Sequence, residues 1–448
     1  MARRFLPSRR DVAIGGAAAT LFHIVPSRCL SLQGQTPPSD IINFGHIGIG
    51  GRGRGFLRSE ANLDKTIAAP KNLGGDGSRN LRPVRSIALC DVDVKRLDDA
   101  ASRVGGKPHL YKDFRRLLED KDVDAVVIAA PDHWHALMTI LACQAGKDVY
   151  CEKPACNTIE EGRAMVNAAE RYARVVQIGS QGRSQPAAVQ AKSYIRNGQL
   201  GRVNRVTCWH YASPDGDWTP DEPAPPEIDY ELWLGPARYM PYNKKHTHQA
   251  FRWLIDFGGG QIRDRGAHVM SIANWVMDCD TKGPDSIEAK GDPPRDGMYD
   301  AAVTMEVTYQ FKDPDWTLVW AQPGEPPPGE EAKYGALYHG EKGNIRVNNG
   351  DGVTTTDQKV REYKASIDGV KIFQSPGHME NFEDCIRSRE LPVMHMEAGH
   401  RVASLCILGN LAFQLRRKLD WDWETERFRN DDEANRMLSR PGRGPWNL

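Results

Sequence analysis

The chain has 448 residues, more than a single ordinary core organises, so its length predicts two domains and a processed N-terminal end. Hydrophobic residues make up 40% and charged residues 26%, an ordinary globular balance. Lys+Arg and Asp+Glu each number 59, so no global field gathers nucleic acid or an anionic membrane surface, and a small-molecule ligand is expected instead.

At the N-terminus, Ser8-Arg9-Arg10 precedes an apolar run from Val12 to Val25 that is rich in Ala and Gly. The run is shorter than the roughly 20 residues of a bilayer-spanning helix, and a basic flank before a short apolar stretch reads as a signal peptide. The paired arginines point to the twin-arginine route. Residues 1–35 are therefore expected to be a removable leader, and the mature protein to be periplasmic or otherwise exported, without stable membrane insertion. His23 interrupts the apolar run, no A-x-A site follows it, and Arg28 before Cys29 argues against a lipobox. The cysteines include no CxxC pair and several lie in apolar runs, which predicts buried free thiols rather than a disulfide framework or a zinc site.

Between residues 40 and 180, short apolar runs alternate with helical patterns. Strands are expected at Ile41–Ile49, Ser86–Cys90, Ala125–Ala130, Asp148–Glu152 and Val175–Gly179. Helices are expected at Val94–Val104, Phe114–Glu119, His135–Ala145 and Ile159–Tyr172. That alternation makes βαβ units and hence an α/β domain on a doubly wound parallel sheet, the nucleotide-binding candidate. The first strand runs into Gly48-Ile49-Gly50-Gly51-Arg52-Gly53, in which Gly48, Gly50 and Gly53 satisfy G-x-G-x-x-G ahead of a helix. In that motif the first glycine turns tightly, the second lets backbone approach a pyrophosphate, and the third packs helix on strand; the helix N-terminus receives the phosphates. Asp91 ends the second strand, where a carboxylate binds both ribose hydroxyls and repels a 2′-phosphate, favouring NAD over NADP. Asp91 lies farther from the motif than the usual roughly 20 residues. The excess is assigned to a surface insertion at Lys71–Arg82.

Residues 181–448 read as a second domain. A helix near Gln185–Asn197 leads into a Pro- and Trp-rich stretch, Ser213–Tyr242, read as long loops. Ala302–Phe311, Thr317–Ala321, Ala336–His339 and Gly343–Val347 alternate apolar and polar residues, as strands of an antiparallel sheet with one buried face do. Pro323–Gly329 is a loop by composition, and helical patterns at His378–Ser388 and Glu397–Lys418 precede a polar tail.

Three segments carry a likeness. Ala129-Ala130-Pro131-Asp132-His133-Trp134-His135, Tyr150-Cys151-Glu152-Lys153-Pro154 and the Gly258–His268 run with its Asp-x-x-x-His resemble the Gfo/Idh/MocA oxidoreductase family, from about residue 40 to the C-terminus. Trp-Leu-Gly-Pro at 233–236 looks like a branch rich in exported bacterial members. The resemblance implies a Rossmann domain followed by a C-terminal α/β domain with a large open, mostly antiparallel sheet that mediates homodimers or homotetramers. Together with the glycine motif and Asp91, it gives an NAD-binding set of Gly48, Gly50, Gly51, Arg52, Gly53, Asp91, Pro131, His135, Glu152 and Lys153. Lys153 is implied to lie beside the nicotinamide and the reacting carbon, and Glu152 near the nicotinamide ribose. His268 is implied as the general acid/base, with Asp264 holding substrate hydroxyls or orienting the histidine.

The chemistry is consistent with those residue types. Moving a hydride off a carbinol carbon also requires removing the hydroxyl proton, which a histidine can accept for a gain of roughly 10²–10⁴-fold. A lysine beside the same oxygen stabilises its developing negative charge. Asp264 and His268 stand four apart, so on a helix both project from one face, and the Gly258–Gly260 turn lets that helix start close to substrate. His133 and His135 follow the third strand, where they contact the cofactor or, for His135, cap a helix. His246-Thr247-His248 reads as a loop, and no metal is expected. Trp209, Trp218, Trp233 and Trp253 fall near the presumed substrate region. Family members often place Asp three residues after the histidine; here Ser271 stands there, which bears on substrate hydroxyl contacts more than on the redox step. The expected function is an NAD(P)-dependent oxidoreductase acting on a CH–OH group of a sugar, cyclitol or derivative, with tightly bound cofactor. The alternatives are an NAD-dependent glycoside hydrolase working by transient oxidation and elimination, and a non-catalytic NAD- or sugar-binding protein.

Overall fold

The computed structural model describes residues 41–58, 84–216, 218–324, 334–349 and 352–447. The expected leader at 1–35, the whole insertion at Lys71–Arg82 and all but the start of the Pro-rich loop lie outside the described residues.

The N-terminal domain comprises β1 (Ile42–Ile47), β2 (Val84–Cys90), α1 (Val94–Val104), β3 (His109–Tyr111), α2 (Phe114–Leu118), β4 (Ala125–Ile128), α3 (His135–Gln144), β5 (Asp148–Glu152), α4 (Ile159–Arg171) and β6 (Val176–Gly179). Its strands form one parallel sheet in the order β3-β2-β1-β4-β5-β6. β4 reads Ala-Val-Val-Ile and is buried throughout, as a strand covered on both faces must be. α1 starts where the Asp93 side chain accepts from the Lys95 and Arg96 N–H groups, and α4 starts at a Thr158/Glu161 capping box. The strand order reverses between β1 and β4, and in such sheets the crevice at the carboxyl ends of these strands is the ligand site.

The second domain contains α5 (Pro186–Arg196), β7 (Val203–Trp209), α6 (Tyr230–Leu234), α7 (Ala267–Val276), β8 (Ser286–Lys290), β9 (Met305–Lys312), β10 (Asp315–Gln322), β11 (Gly335–Gly340), β12 (Gly343–Asn349) and β13 (Val353–Thr354). It continues with α8 (Gln358–Arg361), α9 (His378–Ser388), α10 (Met396–Leu415), β14 (Leu419–Asp422), β15 (Arg427–Phe428) and α11 (Asp432–Arg436). Nine strands form one sheet, β13-β12-β11-β7-β10-β9-β8-β14-β15, antiparallel except for the β7–β10 pair. The fold class expected from the sequence is thus the observed one. α10 is buried along most of its length and packs on α4, α7 and β8, which joins the two sheets through a shared core.

Two differences from the sequence reading bear on the site. The helix expected after Gly53 amounts, over the described residues, to one 3-10 turn, Gly53–Phe56, whose two glycines are poor helix formers. The Ser213–Tyr242 stretch read as long loops folds back onto the N-terminal domain. There the Asp229 N–H donates to the Val92 carbonyl (2.9 Å) and the Val94 N–H to the Glu227 carbonyl (3.0 Å). All eight described cysteines are buried and free, as expected, and no described helix is long and apolar enough to cross a membrane.

Candidate functional site

A cavity of about 560 Å³ opens at the carboxyl ends of β1, β4 and β5 and is walled on its far side by the second domain. The Gly48–Arg52 loop and Asp91 line one end of the cavity; Lys153, Asp264 and His268 line the other.

Two glycines shape the first end. Gly48 has a φ of 78°, and a Cβ there would lie 2.5 Å from the Ala130 nitrogen. A Cβ on Gly53 would collide with the Gly48 carbonyl. The loops after β1 and β4 therefore pack backbone to backbone, while Gly51 faces nearly open space, with Gln249 Nε2 3.7 Å from where its Cβ would be. Asp91 Oδ2 accepts from the Ile49 N–H (2.9 Å) and Oδ1 from the Asp93 N–H (3.0 Å), which anchors the glycine loop to the end of β2. Burial raises its pKa. Glu152 pairs with Arg52 (2.9 Å) and accepts from Gln181 Nε2 (2.8 Å), tying the same loop to β5. A glycine cradle rich in backbone N–H groups beside a strand-end carboxylate fits a dinucleotide: the loop would hold the pyrophosphate and Asp91 the ribose hydroxyls.

Pro131 and His135 line the same wall. His135 does not cap α3, which has no side-chain cap. Its Nδ1 lies 2.7 Å from the Pro154 carbonyl and its Nε2 2.9 Å from the Ala130 carbonyl. Both partners only accept, so both nitrogens donate and the ring is an imidazolium. Burial opposes that charge, but Cys151, Asp132 and the Pro154 carbonyl outweigh it and raise the pKa to about 10. His133 is buried against Phe257 and Trp233 instead, its Nε2 2.9 Å from the Trp233 carbonyl, and does not line the cavity.

At the other end, Lys153 Nζ donates to Asp264 Oδ1 (2.6 Å) and to the Asp264 carbonyl (3.0 Å). The Gly258–Gly260 run leads not into a regular α-helix but into a π-type turn, Ile262–Gly266, that carries Asp264; His268 lies in the first turn of α7. Such turns recur at functional sites because they re-aim side chains within a helix. Arg252 Nε and Arg265 Nε each stand 3.4 Å from Asp264 Oδ2. Burial opposes ionisation of Asp264, but Lys153, Arg252 and Arg265 overcome it and hold the carboxyl well below its usual range. Burial, then the Lys153 charge, hold His268 well below the ordinary histidine value against the pull of Asp264, so its imidazole is neutral near pH 7. Among the described residues no hydrogen bond joins Asp264 to His268; the carboxylate holds Lys153.

Ser271 points away from the cavity, buried and accepting from Arg183 Nε (2.8 Å). Of the four tryptophans, Trp233 lines the cavity, while Trp209 is core, Trp218 is exposed and Trp253 is half-buried without lining the cavity. Asp132, Gln249, Arg252, Arg265 and Tyr334 line it without having been singled out in the sequence. Asp132, inside the Ala129–His135 segment, and Arg265, next to Asp264, had a legible signal; Gln249, Arg252 and Tyr334 did not, because they reach the cavity from outside the three segments that carry the likeness.

Residues 42–180 match the family model described as an oxidoreductase family NAD-binding Rossmann fold, and residues 201–448 match that of the same family's C-terminal alpha/beta domain. The chain belongs to the Gfo/Idh/MocA oxidoreductase family. As a member, it uses its N-terminal domain as the NAD-binding domain. Levoglucosan dehydrogenase of Pseudarthrobacter phenanthrenivorans is 34% identical over 195 residues, 44% of this chain and 43% of that protein. Inositol 2-dehydrogenase of Salmonella typhimurium is 31% identical over 216 residues, 48% of this chain and 55% of that protein. The chain thus spans about half the length of the curated relatives it matches. In fold it is similar to the WlbA dehydrogenase from Bordetella pertussis, solved with NADH and UDP-GlcNAcA, with a TM-score of 0.59 at 18% identity over 85% of this chain and 99% of that one. A levoglucosan dehydrogenase solved with NADH and levoglucosan gives a TM-score of 0.58 at 20% identity over the same shares, 85% and 99%.

Proposed function

We propose that this family member is an NAD-dependent dehydrogenase that interconverts a hydroxyl and a keto group on a sugar, cyclitol or derivative. The observation that carries this reading is that the glycine cradle and the Lys153, Asp264 and His268 cluster open into the same cavity. Bound NAD supplies the hydride acceptor. The chain's own residues handle the proton: neutral His268 accepts it from the reacting hydroxyl, and the Lys153 ammonium stabilises negative charge on that oxygen. Asp264 positions Lys153 rather than touching the reacting atoms. In the reverse direction, His268 returns the proton.

Two further parts of the reading are the tight hold on the cofactor and export. The first is supported by the 227–229 strap bonded to residues 92–94 and by Gln249 beside Gly51, which narrow the way out of the cradle. The second is supported by Arg9-Arg10 ahead of the short apolar run.

The test is to purify the mature protein, denature it and identify released nucleotide by mass spectrometry, then screen sugars and cyclitols for NADH formation. Stoichiometric NAD(H) and sugar-dependent turnover that Lys153→Met abolishes are expected. No bound nucleotide and no binding of added NAD or NADP would sink the reading. For export, residues 1–40 fused to a folded reporter should reach the periplasm only in cells with a working twin-arginine translocase; retention in both cell types would remove that part.

A further inference from the structure

The reacting end of the cavity carries more positive charge than its carboxylates balance. Lys153, Arg252 and Arg265 all face the single Asp264 carboxylate. Among the described residues, the cavity has three other carboxyls: Glu152, Asp91 and Asp132. Glu152 is paired with Arg52, and Asp91 serves the Ile49 and Asp93 N–H groups at the opposite end. Asp132, counted as fully charged, is offset by the His135 imidazolium beside it, which leaves three cations against the one Asp264 carboxylate. The dinucleotide's phosphates belong at the glycine loop and do not account for this excess.

We infer that the substrate is an anionic sugar whose carboxylate or phosphate is taken by Arg252 and Arg265 beside the reacting hydroxyl. The assignment of that end as the reacting one rests on the dehydrogenase reading above. Arg252 is prepared for such a ligand. Its Nη1 is fixed on the Gln249 carbonyl (2.6 Å), while its buried Nε stands in ion-pair range of Asp264 without a hydrogen-bond acceptor. The Arg265 guanidinium lies over the Tyr334 ring, 5.8 Å from its centre, which limits how the fork can turn. A guanidinium fork meets an oxyanion with two parallel charge-assisted bonds, a geometry that a neutral hydroxyl cannot match. A neutral sugar filling this end would displace water from both arginines and leave their charge less compensated than before.

The experiment uses the full-length protein saturated with NADH. Calorimetry measures binding of glucuronate, gluconate and glucose 6-phosphate against glucose and myo-inositol, for the wild type, Arg252→Gln, Arg265→Gln and the charge-preserving Arg252→Lys, each checked for a cooperative melt. At least one oxyanion-bearing sugar should bind roughly tenfold or more tightly than glucose. That advantage should shrink about tenfold in the glutamine variants and partly return in Arg252→Lys. A preference for the acids assigns a carboxylate, and a preference for the phosphate ester assigns a phosphate. Glucose or inositol binding as tightly as the best oxyanion-bearing sugar, no oxyanion-bearing sugar binding at millimolar concentration, or binding of that best sugar that ignores both glutamine substitutions would overturn the inference. NADH formation with NAD separates the two readings: turnover of neutral sugars alone keeps the dehydrogenase and removes the anion, whereas tight, arginine-dependent acid binding without turnover of any sugar does the reverse.

Discussion

Lys153 and Asp264, 111 residues apart in the chain, are joined by two contacts, one from the ammonium to the carboxylate and one to the carbonyl of the same aspartate. The second contact survives any change of the side chain. Lys153→Met removes the charge at the reacting oxygen and should lower kcat by about 10²–10⁴-fold. Asp264→Asn keeps the backbone contact and loses one charge-assisted bond, so a smaller drop of roughly 10–100-fold is expected. Equal losses in the two variants, measured as kcat/KM on the same substrate, would mean that Asp264 does more than position the lysine.

His268 gives a prediction about pH. A base must be neutral to act, and the pKa of His268 lies well below the ordinary value, first from burial and then from Lys153. The acidic limb of kcat/KM should therefore fall below pH ~6.5, with a flat region through neutrality. His268→Asn should lose about 10²–10⁴-fold and abolish that limb. A limb at or above pH 7 in the wild type would show that the imidazole is not held neutral.

Much of this site could be read from the chain because its parts sit on strand ends that local pattern locates. Gly48, Asp91 and Lys153 each follow a strand whose last residues are buried, and Asp264 and His268 follow a glycine turn. What local pattern could not supply is the partner of a side chain. His135 begins a helix, yet its role is set by two carbonyls, one of them 19 residues away, and this turns an apparent cap into a charged clip between the β4 and β5 loops. Arg252 and Gln249 reach the cavity only because 213–257 folds back across the N-terminal domain. β3 was missed for a different reason: three exposed or half-buried residues show no alternation, and only pairing with β2 makes them a strand.

The charged clip has its own consequence for stability. The His135 pKa in the folded state, about 10, lies above the unfolded value near 6.5. Its contribution is fully present below pH ~6.5 and is lost as pH rises through about 10. His135→Gln cannot donate in two opposed directions and leaves one buried carbonyl unmet, a cost of about 1–3 kcal/mol. The difference in Tm between the wild type and this variant should be largest near pH 6 and shrink toward pH 10. A difference that does not vary with pH would mean that the ring is neutral.

Below pH ~6.5 other histidines set the slope. Burial lowers His46 and His133 to about 3, and His210 and His378 to about 4. Each stays neutral in the folded state while its unfolded counterpart takes a proton, so stability falls as pH drops from about 6.5 toward 4, by at most about 1.4 kcal/mol per pH unit for each ring. His378 is the cleanest probe, with its Nε2 2.9 Å from the Ile178 carbonyl and its Nδ1 2.9 Å from Ser184 Oγ. His378→Asn should start less stable and lose stability less steeply between pH 6.5 and 4 in urea melts. A slope equal to the wild type's would remove His378 from the account.

The tail expected to be merely polar returns to the cavity wall. Trp446 meets Trp134 edge-on (4.9 Å between ring centres) and lies 6.4 Å from the Phe114 ring, with the Arg115 guanidinium 4.7 Å from its own ring centre. Arg443 N–H anchors the approach on the Pro236 carbonyl (3.1 Å). Trp134 and Phe114 both line the cavity, so Trp446 backs its wall from behind without entering it. An aromatic contact of this kind contributes about 0.5–1.5 kcal/mol beyond its buried area, and the arginine contact about 0.5–1 kcal/mol. Trp446→Ala should therefore lower Tm by a few degrees and let Trp134 relax, raising the Kd for NAD by about threefold or more as roughly 1 kcal/mol of preorganisation is lost. Trp446→Phe should restore much of both. If Tm falls while the Kd stays put, the tail supports the fold alone and the wall needs no backing.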